Sequence, residues 1–176
     1  QMKYLLSLLL LTPFLSWALA PQNPVIKSTG TIHEIPYATI TPDPNLEYNI
    51  VIDVATGPQS PNELNPSLEN VARLINLHVV GGVPLSKLHI VLAVHNASAV
   101  ALLNNEAYQQ KFKMDNPNLK LIEELKQAGV KIALCGQSIV NRNIDPIQLA
   151  PGVEVATSML TTFTTYQLRG YAAMKF

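Results

Sequence analysis

Short runs of apolar, β-branched residues recur along most of this chain, and they carry no strict polar alternation. They read "EYNIVIDVA" at 47–55, "KLHIVLAVH" at 87–95 and "VKIALCG" at 130–136, with a weaker fourth, "GVEVATS", at 152–158. A strand that is apolar on both faces must be covered on both faces, which is the condition of a parallel sheet. The intervening segments supply the cover. After the first run, Asn65-Pro66 places a capping side chain before a proline at the first helical position. Leu68, Val71, Ala72, Ile75 and Val79 then share one helical face, and Gly81-Gly82 closes the element. "ASAVALLNNEAYQQKF" reads as a second helix with Val100, Ala101, Ala107 and Tyr108 inward. Asn116-Pro117 opens a third, with Leu121, Ile122, Leu125 and Ala128 inward and Gly129 as its stop. "QSIVNRN" follows the third strand as a short helical piece, and "MLTTFTTYQLRGYAAMKF" reads as a final helix capped by Ser158. Right-handed crossovers then give a doubly wound α/β fold, with a mostly parallel sheet of four to five strands and helices on both faces.

The ends of the chain differ in character. Gln1 precedes Met2; Lys3 and the run "YLLSLLLLTPFLSW" follow, closing on Ala18-Leu19-Ala20. A cationic start, an apolar stretch too short to span a bilayer and small residues at an A-x-A site predict a secretory signal peptide over 1–20. Pro13 interrupts the run, which argues against a retained anchor. The expected location is periplasmic or secreted. Residues 21–46, rich in Pro, Thr and Asn, read as an arm or linker with one short extended piece around Thr31–Ile35. Residues 47–176 form a single domain. Lys plus Arg and Asp plus Glu are each 12, so no basic stripe for a nucleic-acid partner is expected. No second long apolar run follows, and no membrane association is expected once the signal is cleaved.

Cys135 is the only cysteine. An exported chain with one thiol can form no internal disulfide, so packing must supply its stability, and the thiol is either free or paired between chains. In doubly wound sheets the binding crevice lies outside the carboxyl ends of the strands. That places Thr56-Gly57, His95-Asn96, Cys135-Gly136 and Thr157-Ser158 along one rim. Cys135 also directly precedes a helix start, where backbone N–H groups and the helix dipole favour thiolate over thiol. A small buried hydrophobe is the competing reading of a lone cysteine at a strand end. His95 is the candidate partner, either as an imidazolium lowering the thiol's pKa or as a neutral base taking its proton. His78, within an apolar helix run, and His89, on a strand flank, read as structural; His33 lies in the arm.

Dinucleotide, nucleotide-phosphate and Gly-x-Ser-x-Gly signatures are absent, and without a C-x-x-C pair dithiol exchange within one chain is excluded. Cys135 and His95 alone do not make a closed metal site. No cofactor or resident metal is therefore expected. The last helix is Thr-rich, and Met159, Phe163, Tyr166 and Gly170 can share one face, suited to the core or to another subunit.

The order of elements, together with "VVGGVPLSKLHIVLAVHN", "VKIALCGQS" and "APGVEVATSMLTTFTTYQLRGYAAMKF", resembles the DsrE/DsrF-like sulfur-relay family in an exported branch. Gln167, Gly170 and Tyr171 stand where the family's pattern has Gln and a Gly-Tyr pair. The resemblance implies assembly as homotrimers or homohexamers. It also implies a persulfide-carrying role for Cys135 with a sulfur donor or acceptor protein as partner. Cys135 and His95 would then carry the chemistry, with Asn96, Gly136, Gln137, Ser138, Thr56 and Gly57 lining the ligand side. The competing function is a non-enzymatic oligomeric module holding a small ligand, metal or haem at the same rim.

Overall fold

Seven residues, Tyr48–Val54, form the first strand, β1, and pair in parallel with Leu88–Val94, β2, from Tyr48 opposite Leu88 to Val54 opposite Val94. Lys131–Cys135, β3, joins the free edge of β2, and the short strand Glu154–Ala156, β4, joins β3. Ala172–Lys175, β5, closes the other side against β1, so the order is β4-β3-β2-β1-β5 with every pairing parallel. The computed structural model describes residues 20–176, and the expected export segment lies outside them apart from its last residue.

The five-stranded parallel α/β architecture is the expected one, but its last element is not. The final helix, α5, stops at Leu168 (Met159–Leu168), and the chain turns through Gly170 at φ +87°. "AAMK" then becomes an edge strand rather than more helix. Pairing with β1 satisfies that segment's backbone, and the Phe176 N–H donates to the Asp53 carbonyl at 3.2 Å. Two other boundaries also move. The stretch expected as one helix from Ala97 to Phe112 is a 3₁₀ turn, Asn96–Leu102, and a separate helix, α2, Asn105–Phe112. The break occurs because the Asn104 N–H donates to the Gln148 carbonyl, and the Ala150 N–H to that of Leu102, which draws the chain aside at Leu103. The next helix, α3, spans Leu119–Gln127 and does not open at Asn116-Pro117. The Asn116 side chain is engaged elsewhere, donating to the Ala101 and Leu103 carbonyls and accepting from the Asn118 N–H.

Alternate residues of the strands face opposite ways. Ile50, Ile52 and Val54, with Ile90, Leu92 and Val94 and with Ile132 and Leu134, build one continuous core with Leu68, Val71 and Ile75 of helix α1, Pro66–Val80, and with Leu121, Ile122 and Leu125 of α3. Asn65 caps α1 through the Ser67 and Leu68 N–H groups. The other face carries Val51, Asp53, Val91, Ala93, Ala133 and Cys135, and α5 crosses it over β1 and β2.

Within the arm, residues 22–32 pack back on the domain, whereas most of 33–46 is exposed. Gln22 and Ile32 bridge each other, and Ile26 is fully buried in the core of α1 and α3. The buried Asn76 of α1 accepts from the Val25 and Ile26 N–H groups and donates to the Ile26 and Gly30 carbonyls. Each of those bonds satisfies a backbone group that burial would otherwise leave unpaired. This part of the arm is thus a clip over the helical layer.

Candidate functional site

The site is built where β3 ends. Cys135 is the last residue of β3 and the N-cap of α4, Gly136–Arg142. Its place in the ladder, opposite Ala156 of β4, brings the thiol to the point where α4 begins beside the loop that starts α5. Gly136 allows that approach: a Cβ there would come within 2.8 Å of the Ala156 carbonyl oxygen and 3.2 Å of that of Thr157. Any larger residue would push β4 and the start of α5 away from the sulfur. Gln137 reinforces the same junction, its Nε2 donating to the Thr157 carbonyl at 3.4 Å.

Cys135 is 6 % exposed. Burial alone raises a thiol's pKa, because a dry environment penalises the thiolate. Here burial is outweighed. The backbone N–H groups of Met159, Ser138 and Gln137, with the Ser138 hydroxyl, favour the thiolate, and the net direction is downward from the ordinary thiol range. Two chain segments thus supply donors to one buried atom: the first turn of α4 and the first residue of α5. Ser158 caps α5 through the Thr161 N–H, which leaves the Met159 N–H for the sulfur. Ser138 is itself buried, and its oxygen accepts from the Asn96 N–H at 3.2 Å. Asn96 adopts φ +49°, a left-handed conformation that asparagine tolerates better than most residues. In this way β2's end is tied to the thiol's surroundings through one hydroxyl.

His95 stands beyond β2 on the same face as Asp53, but its bond runs towards β1. Its Nε2 lies 2.7 Å from Asp53 Oδ1, and Lys175 Nζ lies 3.5 Å from Asp53 Oδ2. The donors that act on Cys135 come from α4 and α5, and the imidazole is not among them. The rim therefore holds two neighbouring clusters: a thiol surrounded by N–H groups, and a carboxylate held by an imidazole and an ammonium. Thr56 and Gly57 sit at the end of β1 in supporting roles. The Thr56 carbonyl accepts from Ser98 Oγ at 2.7 Å and from Asn65 Nδ2 at 2.9 Å, and a Cβ on Gly57 would touch Ala97 at 3.0 Å.

Asp53, Lys175 and the Met159 N–H went unremarked in the sequence. Asp53 had a signal, as the lone charge in β1, next to its end. Lys175 had none, because its partner is reached only through the β5 pairing. His78 and His89 behave as structural residues. The Nδ1 of His78 lies 2.8 Å from the Leu74 carbonyl and its ring stands edge-on to Tyr48, whereas His89 pairs with Glu47 at 2.9 Å. Among the described residues, no three His, Cys, Asp or Glu side chains converge to hold a metal ion.

Comparison with known proteins gives a consistent picture. Residues 49–176 match the model of the DsrE/DsrF-like family. Two solved structures share the architecture. A protein of unknown function, MTH1491 from Methanobacterium thermoautotrophicum, is 19 % identical, covering 73 % of this chain and 99 % of its own, with a TM-score of 0.55. The ychN protein from E. coli is 25 % identical with the same coverage of both chains and a TM-score of 0.53. Among curated proteins, none matches this chain. The family match begins inside β1, so the clip formed by residues 22–32 lies outside it.

Proposed function

This chain belongs to the DsrE/DsrF-like family, and we propose that it carries sulfane sulfur on Cys135. The placement of a buried thiol at the N-terminus of α4, beside the strand end that leads into α5, carries this reading. The reaction requires a thiolate nucleophile, and preorganised N–H donors stabilise both that thiolate and a persulfide anion at the same place. The thiolate attacks the outer sulfur of a donor hydropersulfide; a new S–S bond forms on Cys135 while the donor's S–S bond breaks. The electron pair and negative charge leave on the donor's thiolate. Attack by an acceptor thiolate on the outer sulfur reverses the bookkeeping and regenerates Cys135. No second cysteine is needed, in keeping with a chain that has one.

The same reading places the protein outside the cytoplasm, on the strength of Lys3, the apolar run and Ala18-Leu19-Ala20. It also gives the chain partners of its own kind. No residue of α5 is buried, although α5 is the helix that covers the chemical face. Leu160 and Leu168 are 69 % and 90 % exposed, and Val155 on β4 is 52 % exposed. Exposed aliphatic residues on the single covering layer of a parallel sheet suit a homotrimeric or homohexameric contact.

Incubation with a hydropersulfide donor, followed by intact mass and peptide mapping, tests the proposal. One added sulfur atom on Cys135, absent in Cys135→Ser and removed by a thiol acceptor, is the expected result. An unmodified Cys135 that also resists small alkylating agents in the folded protein contradicts it. Ligand binding at the rim that survives Cys135→Ser would instead favour the non-enzymatic binding module.

A further inference from the structure

Away from the thiol, at the other end of α4, lies a cavity of about 490 Å³, within the ordinary range of small-molecule sites at about 300–1,000 Å³. Val100 and Ile144 supply the apolar part of its floor, while the polar groups of Gln110, Asn141, Asn143 and Gln148 make up more of its lining. Lys111 from the last turn of α2 and Arg142 from the last turn of α4 stand over it, and no acidic residue lines it. The nearby carboxylates are turned to other work. Asp145 accepts from the Ile147 N–H, Asp115 from the side chains of Asn105 and Gln109, and Glu106 from Gln110 Nε2 at 3.4 Å. Among the described residues, neither Lys111 nor Arg142 has a carboxylate partner.

Part of that positive charge has a structural use. Each cation sits at a helix C-terminus, where the macrodipole amounts to about half a negative charge. Two full positive charges against two such half charges leave a net charge of about one positive unit beside the cavity. We infer that this cavity binds a small organic monoanion, a short apolar body seated on Val100 and Ile144 with a carboxylate or sulfonate between Lys111 and Arg142. A bare inorganic anion would leave the apolar part of the floor unused, and a neutral ligand would leave Arg142 and Lys111, whose ammonium lies 5.7 Å from the Phe112 ring centroid, without an anionic partner. Gln148 adds specificity, since its Oε1 accepts from the Asp145 N–H and its amide N–H₂ remains to donate.

Phenylacetate, acetate and benzyl alcohol separate these contributions. Titration of the protein with phenylacetate, followed by amide NMR shifts, is expected to give saturable changes at Leu103, Ala107, Lys111, Asn143 and Ile144. Acetate and benzyl alcohol are each expected to bind at least tenfold more weakly. Lys111→Gln and Arg142→Gln alter exposed side chains, so both should melt like the parent while weakening phenylacetate about fivefold or more. Equal binding of acetate overturns the role of the floor, and equal binding of benzyl alcohol overturns that of the cations. Undiminished phenylacetate binding in the double variant, or no saturable binding at all, overturns the site. Each outcome is independent of whether Cys135 carries sulfur.

Discussion

The two faces of the sheet are built from the same strands but to opposite specifications. The face under α1 and α3 is dry: Ile52, Val54, Leu92 and Leu134 have essentially no exposed surface, and the clip residue Ile26 extends that core outward. The face under α5 has smaller side chains at Ala93 and Ala133, and it carries Asp53 and Cys135. One helix covers it, with none of its own side chains buried. The contrast teaches that stability and chemistry have been assigned to different sides of one β-layer. The residues that hold the fold together are not those that handle the thiol, so each side can be perturbed with limited effect on the other.

The largest expected effect separates the faces most sharply. Leu92→Ala should cost about 2–5 kcal/mol in a denaturant titration, through lost burial and the cavity left behind. Loss of less than that range would mean that the α1 and α3 face is not the main source of stability. Gly136→Ala comes next. The clash with the Ala156 carbonyl should cost about 1–3 kcal/mol and separate the sulfur from the Met159 N–H, so that thiol reactivity at neutral pH falls as well. A stability loss with unchanged reactivity would detach Gly136 from the site. Ser138→Ala is subtler. It removes the hydroxyl that favours the thiolate and also the acceptor of the Asn96 N–H, so it should slow alkylation about fivefold at neutral pH with a stability loss of about 1 kcal/mol. The smallest effect on the isolated chain belongs to Leu160→Ser with Leu168→Ser, about 0.5 kcal/mol or less for each exposed position. The pair should nevertheless lower the mass measured by light scattering. An unchanged mass would remove α5 from any subunit contact.

Much of the dry face was legible in the sequence, and less of the chemical face. Leu68, Val71 and Ile75 announce an amphipathic helix by spacing alone, and the run through Ile90 and Leu92 announces a strand buried on both sides. Those are local patterns, and the core that they build follows them. β5 was not legible, because "AAMK" has weak local preference and becomes a strand only by meeting Ile50 to Asp53 across the sheet. The break at Leu103 was hidden for the same reason, its cause being Gln148 and Ala150 far along the chain. At the rim, Cys135 ends β3, and His95 and Asn96 directly follow β2; the strand-end rule speaks of position alone. It could not tell which way each side chain turns. His95 bonds to Asp53 on one side, and Cys135 receives the N–H groups of α4 and α5 on the other. Side-chain direction at a rim depends on the loops that close over it, which strand periodicity does not encode.

The pH dependence of the thiol tests the central claim most directly. A depressed folded-state pKa means that the unfolded chain holds the thiol proton to higher pH. The stabilisation is therefore complete above the unfolded thiol's pKa of about 8.5 and is lost as pH falls through the folded value. Alkylation rates of the folded protein measured across this range should show a Cys135 midpoint below that of the urea-unfolded chain, with Ser138→Ala moving it back up. A folded midpoint at or above the unfolded one would mean that burial prevails over the converging N–H groups, and the sulfur-carrying role would lose its physical basis.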